Sequence, residues 1–257
     1  LEAPFAKKIY RATSAFYKRA LNDHVEQNGQ FSQLYSDYKH TIYSIIGTYA
    51  KYSIMKFVSM DFDRHIKANP AMLETKRLKK TAYAESIYQD YMHNFGAQQV
   101  RYVTETSRDD IIAALSSLDL TTEDVKASIK NILSASVSRS ATIARTETHN
   151  ASQFATLEVA KNLQVETGVV FVKAWVASQD ERTRPTHAAM DSNNYIGMSE
   201  LFQVGDSQGL MPGDASLPPE ESINCRCVMV TEQQKYVDGS QDYSQIDDSQ
   251  LGDLSGF

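Results

Sequence analysis

Cysteine is scarce in this chain: 257 residues carry two. Two thiols cannot build a disulfide framework, so the fold must rest on a packed core, and such sparing use favours an intracellular origin. Proline is also sparse, with six residues, of which only Pro4 and Pro70 precede position 185. No apolar run approaches the roughly 18 residues that cross a bilayer, so no membrane partner is expected. No signal-peptide pattern stands at the start, and a chain opening on Leu1 reads as trimmed or partial. A formal charge of −6 excludes a molecule that attracts nucleic acid or anionic membrane as a whole, though not one with a local basic face. The length suits one large domain or two smaller ones, with enough chain to bury a core.

What the chain has in abundance is helical periodicity, which covers the first 165 residues. Pro4 suits a first helical turn, and Phe5, Ile9, Phe16 and Ala20 follow at helical intervals until Asn28 and Gly29 interrupt. Phe31, Leu34, Tyr35, Tyr38, Ile42, Ile45, Ile46 and Tyr49 trace the clearest apolar stripe. That helix runs to His65 or Ile66, before Asn69 and Pro70 break it. A third helix is expected over residues 72–94, stopping near Gly96, with a fourth continuing to about Ser117. Thr121 to Asp124 form a start signal, a threonine cap with an acidic residue three places on. One helix with Val125, Ile129, Ile132 and Leu133 follows, then another with Ile143, Phe154, Leu157 and Val159.

Past Gly168 the texture changes. Val169 to Val176 are β-branched and aromatic and read as a strand. Loop residues dominate 178–224 apart from a short helix at 185–190, and residues 225–231 read as a second strand. The tail from Asp238 is rich in Ser, Asp, Gln and Gly and cannot form a core alone. The expected class is α+β: a long helical N-terminal region followed by a small strand-and-loop C-terminal domain. The expected divisions are 1–120, 121–235 and a flexible acidic tail at 236–257. Eleven of the fourteen tyrosines precede residue 103. They read as core packing with the hydroxyl reaching the surface, or as a contact surface for other subunits.

Three constellations carry chemistry. Cys225 and Cys227, at i and i+2, project to one face of an extended strand. His187 stands upstream in a turn after Asp180 and Arg184. Zinc takes about four N, S or O ligands, which His187, Cys225, Cys227 and either Asp180 or Asp191 would supply. The spacing is not that of paired CxxC knuckles, and the bland alternative is two reduced strand cysteines with His187 and Asp180 bonded within the loop. A disulfide between them would close a strained ring. No motif demands a cofactor, and zinc is the one candidate. The second constellation is Arg145 and Glu147 with His149 and Asn150 on a helix. Arg145 and His149 share a face; the group reads as an anchor for the following domain or, for Glu147, as solvated surface. The third is Lys76, Arg77, Lys79 and Lys80, a phosphate contact or a solvated helix face.

The order of these residues is more specific than any one motif. Ile143-Ala144-Arg145-Thr146-Glu147, the strand of Trp175, Asp180 with Arg182, Arg184 and His187, and Asn224-Cys225-Arg226-Cys227 follow in that sequence. This resembles the phage Mu F-like family of minor head proteins, over about residues 125–231. The family pattern maps onto Arg145, Glu147, Trp175, Asp180, Arg184, His187, Asn224, Cys225 and Cys227. One departure is that the family often places Gly soon after the His, where this chain has Asp191 and Ser192, with Gly197 later. The resemblance implies a tailed-phage virion protein in the capsid interior or at the portal vertex, assembled in the host cytoplasm. Its implied partners are the portal protein, the major capsid protein, further copies of itself and phage DNA. It implies head assembly, genome packaging or genome delivery, and no settled catalytic activity. The alternative reading is a metal-dependent hydrolase or nuclease acting on nucleic acid, with His187, Asp180, Asp191 and the cysteines around an activated water.

Overall fold

Helix formation follows the apolar stripes closely. The computed structural model describes residues 1–25, 31–68, 76–116, 122–190, 192–234, 236–237 and 240–241. Helix α1 spans Glu2–Val25 and α2 spans Phe31–Ala68. Helix α3 covers Lys76–Tyr91, a π turn covers Met92–Gly96, and α4 covers Ala97–Ser116. Helix α5 covers Thr122–Thr167. The predicted breaks at Asn28-Gly29 and Asn69-Pro70, the Thr121 cap and most of the acidic tail lie outside the described residues.

Two expectations about helix ends are corrected. Gly96 does not stop a helix; the chain passes through it as a π turn and continues as α4. A Cβ at Gly96 would lie 2.8 Å from Met92 Cε, so the glycine makes room for a buried side chain. The two helices expected between residues 122 and 167 are one. The polar stretch between Leu133 and Ile143 holds no Gly or Pro. Its serines satisfy their hydroxyls on the helix itself: Ser136 donates to Leu133 O, Ser138 to Ala135 O and Ser140 to Ser136 O. A polar stretch of this kind can therefore stay helical.

Burial divides into two apolar clusters. The first gathers Phe5, Ile9, Phe16 and Tyr17 of α1 with Tyr38, Ile42 and Ile46 of α2, Val103 and Ile111 of α4, and Ala144 of α5. Stacked aromatic pairs lock α1 on α2: Phe5 on Tyr49 and Phe16 on Tyr38, each with ring centroids 4.3 Å apart. The second cluster takes α2 from Ala50 to Ile66, α3, the later part of α5 and the C-terminal strands and loops. The tyrosines divide between core and surface. Tyr17, Tyr38 and Tyr91 are buried with bonded hydroxyls, whereas Tyr43, Tyr52 and Tyr102 are exposed.

The C-terminal region is built on strand β1, Phe171–Val176, flanked by β2 (Ile196–Gly197) and β5 (Val228–Gln233), both antiparallel to it. Trp175 pairs with Met229 and Val176 with Val228. Short helices α6 (Pro185–Ala188) and α7 (Pro219–Ser222) and the hairpin of β3 (Phe202–Val204) and β4 (Ser207–Gly209) fill the intervening loops. A further pair, β6 (Tyr236–Val237) and β7 (Ser240–Gln241), follows. The sheet is pinned to α2 by polar contacts. Arg64 donates to Thr231 Oγ1 at 2.9 Å, and His65 Nε2 lies 3.1 Å from the same oxygen; Thr156 of α5 donates to the buried Asp61 of α2 at 2.6 Å, tying those two helices together. The fold is thus α+β, helical first and strand-and-loop after.

Candidate functional site

The cysteines do not sit in the strand expected of them; they lie just before it. Strand β5 opens at Val228, and Asn224 ahead of Cys225 takes a left-handed φ of 56°. This turn is fixed from two sides. The Asn224 backbone N–H donates to Thr146 Oγ1 of α5 at 3.1 Å, and the Arg184 guanidinium donates to Ile223 O. Pairing of Val228 with Val176 then brings the cysteines beside Trp175 and the loop that follows it.

His187 arrives from α6, where Pro185 at the first helical position presets the backbone. Its ring meets Trp175 edge to face, with centroids 5.2 Å apart. Nδ1 lies 3.2 Å from Cys227 Sγ and 3.7 Å from Cys225 Sγ. The three ligand-capable atoms all fall within 4.8 Å of one another. On the far edge of the ring, Nε2 is 3.0 Å from Glu221 Oε2. The N–H is off line, so this contact is close without being a formed hydrogen bond. Glu221 comes from α7 and also accepts from Thr186 Oγ1 at 3.0 and 3.1 Å. Sequence reading missed it, although two prolines before two glutamates are a helix-start signal.

Electrostatics split the two thiols. Cys227 is pulled below the usual thiol range by donors around its sulfur: Cys225 first, then His187, the Trp175 indole and the Ser178 amide. Cys225, which gives its proton to that contact and is buried, is pushed up. Burial holds His149 down to about 4, with Cys227 acting the other way. The His149 Nε2 is buried without a partner, as are Arg145 Nε and Asn150 Oδ1 on the same helix.

Asp180 is not drawn into this cluster. Its carboxylate is taken by Arg226, with Arg226 Nη2 donating to Oδ1 at 2.6 Å and Nη1 donating to Oδ2. It also accepts from the Arg182 amide and Thr183 hydroxyl. Arg226 keeps this carboxyl well below the ordinary range. Asp180 is therefore a strap across the Cys-Arg-Cys segment, in place of the ligand role the sequence suggests. Asp191 lies outside the described residues.

Glu147 corrects another expectation. It is buried, not solvated, and receives the Tyr91 hydroxyl at 3.5 Å. Burial raises its pKa to about 8. It lines a pocket of about 330 Å³ with Gln99, Arg139, Thr146, Asn150 and Ile223, between α4, α5 and the segment leading through α7. Of the basic stretch, the side chains of Lys76, Arg77 and Lys79 lie outside the described residues, and Lys80 is paired with Asp63 at 2.8 Å.

Two chemistries match the cluster's geometry. Cys227, His187 and Glu221 follow the order of nucleophile, base and orienting carboxylate. Cys225, Cys227 and His187 also form a soft N/S ligand set. Burial decides between them: His187 is 1% exposed and each cysteine 2%, and none lines the pocket described above. A nucleophile needs room for a carbonyl substrate beside it, whereas an ion needs room only for itself and a ligand as small as water.

No curated protein and no solved structure matches the chain. Residues 106–230 match the family described as Phage Mu protein F like protein. That stretch, just under half of the chain, includes Arg145, Glu147, Trp175, Asp180, Arg184, His187, Asn224 and both cysteines, and over it the chain is similar to the phage Mu F-like proteins.

Proposed function

We propose that this protein is a minor capsid component of a tailed phage that sits near the portal vertex, within the virion. It assists head assembly and genome packaging or delivery, contacting the portal protein, the major capsid protein and further copies of itself. The observation that carries the reading is the phage Mu F-like match, which spans the buried Cys-His cluster and the long helix behind it. Tyr52 and Met55, one turn apart on α2, are exposed, and Tyr43, Tyr102 and Ile112 add further apolar surface. Aromatic surface of this kind suits contacts between subunits. A ring of copies would follow from closed symmetry around a portal.

The test is a reconstruction of purified procapsids and mature particles, with a strain lacking the chain. The expected result is density for the helical bundle at the portal vertex and defective heads in its absence. Wild-type particle yield, head size and DNA content in the deletion strain, with no copy in the particles, would remove the proposal.

A further inference from the structure

We propose that Cys225, Cys227 and His187 form a zinc site with three protein ligands, and that Glu221 sets the histidine's tautomer for it. The inference rests on the cluster's geometry and stands apart from the assembly reading. Tetrahedral zinc with bonds of about 2.3 Å to sulfur and about 2.05 Å to nitrogen places neighbouring S and N ligands about 3.6 Å apart. His187 Nδ1 lies 3.2 and 3.7 Å from the two sulfurs, on either side of that value. All three side chains are buried, so a hydrated ion would have to shed water for ligands already gathered.

Two further observations point the same way. Zinc needs Nδ1 as a bare lone pair, which puts the ring proton on Nε2. Glu221 Oε2 lies 3.0 Å from that atom, held by Thr186, so that a small rotation of the ring would complete the hydrogen bond by which a carboxylate orients a metal-bound imidazole. The cluster is enclosed by Trp175, whose ring meets that of His187 edge to face and which shares a buried apolar cluster with both cysteines. The indole Nε1–H has no full hydrogen bond of its own. Asp180 is held by Arg226, so water or another exogenous ligand takes the fourth position. The ion would tie the turn before β5 to α6, joining residues 38 and 40 positions apart in the chain.

The whole chain, purified in reducing buffer without chelator, should carry roughly one zinc ion, the stoichiometry of a single four-coordinate site. Replacement by Co²⁺ should give thiolate-to-metal charge-transfer absorption and the strong visible bands of four-coordination. Glu221→Gln keeps the side-chain volume and should weaken zinc affinity about tenfold to a hundredfold. Cys225→Ser/Cys227→Ser should abolish binding. If that variant does not fold, the Co²⁺ titration of the wild-type chain decides. Metal-free protein giving no charge-transfer band with Co²⁺ would overturn the site, as would a disulfide between the cysteines in reducing buffer. Unchanged zinc affinity in Glu221→Gln would overturn the role given to Glu221.

Discussion

Single residues carry the strongest local constraints. Gly213 has φ +74°, and a Cβ there would lie 2.3 Å from Asn150 Oδ1 and 3.0 Å from the His149 ring. Gly213→Ala combines backbone strain with a clash against α5 and should cost about 2–3 kcal/mol in urea unfolding. Glu147 makes a pH-dependent contribution. Its folded pKa of about 8 lies above the ordinary carboxyl value of 4.5, so the folded state holds a proton that the unfolded state releases. Its contribution is fully present below pH 4.5 and is lost as pH rises through 8. Glu147→Gln keeps an acceptor for Tyr91 and should flatten this slope. At pH 8 it should be more stable than wild type by an amount on the order of 2–4 kcal/mol, as measured by denaturation across the window. Equal slopes in the two proteins would show that Glu147 is ionised in the fold.

At the scale of elements, helices are joined by few but well-placed polar ties. Arg139 of α5 donates to Val103 O at 2.8 Å, to Ser107 at 3.1 Å and to Asp110 at 3.3 Å, all on α4. Arg139→Met keeps much of the apolar stem and should lose roughly 1–3 kcal/mol, read as a lower urea midpoint with an unchanged slope. Helix existence was legible from sequence because Phe31 to Tyr49 and Phe5 to Ala20 repeat at helical spacing. The union of the two segments of α5 was not legible, since Ser-rich helix and Ser-rich linker look alike until the hydroxyls find their carbonyls. Gly96 misled for a related reason: its use is to admit Met92, a fact of packing. In the site, His187, Cys225 and Cys227 were legible as a group because the sequence has no other cysteine. The partners of Asp180 and His187 were not. Arg226 and Glu221 are ordinary charged residues until the loops bring them across 46 and 34 positions of chain.

For the whole molecule, the consequence is interdependence. The family match begins at residue 106, yet α5 packs on α1 and α2, and α2 supplies residues from Ala50 to Ile66 to the same cluster as Trp175 and both cysteines. A fragment of residues 106–230 should therefore aggregate or lack fixed tertiary structure, while the full chain folds cooperatively. Gel filtration and near-ultraviolet circular dichroism check this. A monodisperse fragment with native-like aromatic signals would show that the region is self-sufficient.

Helix α5 runs 46 residues, about 69 Å at a rise of 1.5 Å per residue. Ala144 along it belongs to the first apolar cluster, and Phe154 to Leu163 belong to the second. Met229 of the sheet donates its amide to Gln153 on the same helix. A single uninterrupted rod is thus the shared wall of both halves and leaves no joint between them. Neighbours grasping the two ends would be held at a set separation. Such a part fixes a length of about 69 Å as well as offering surface for adhesion.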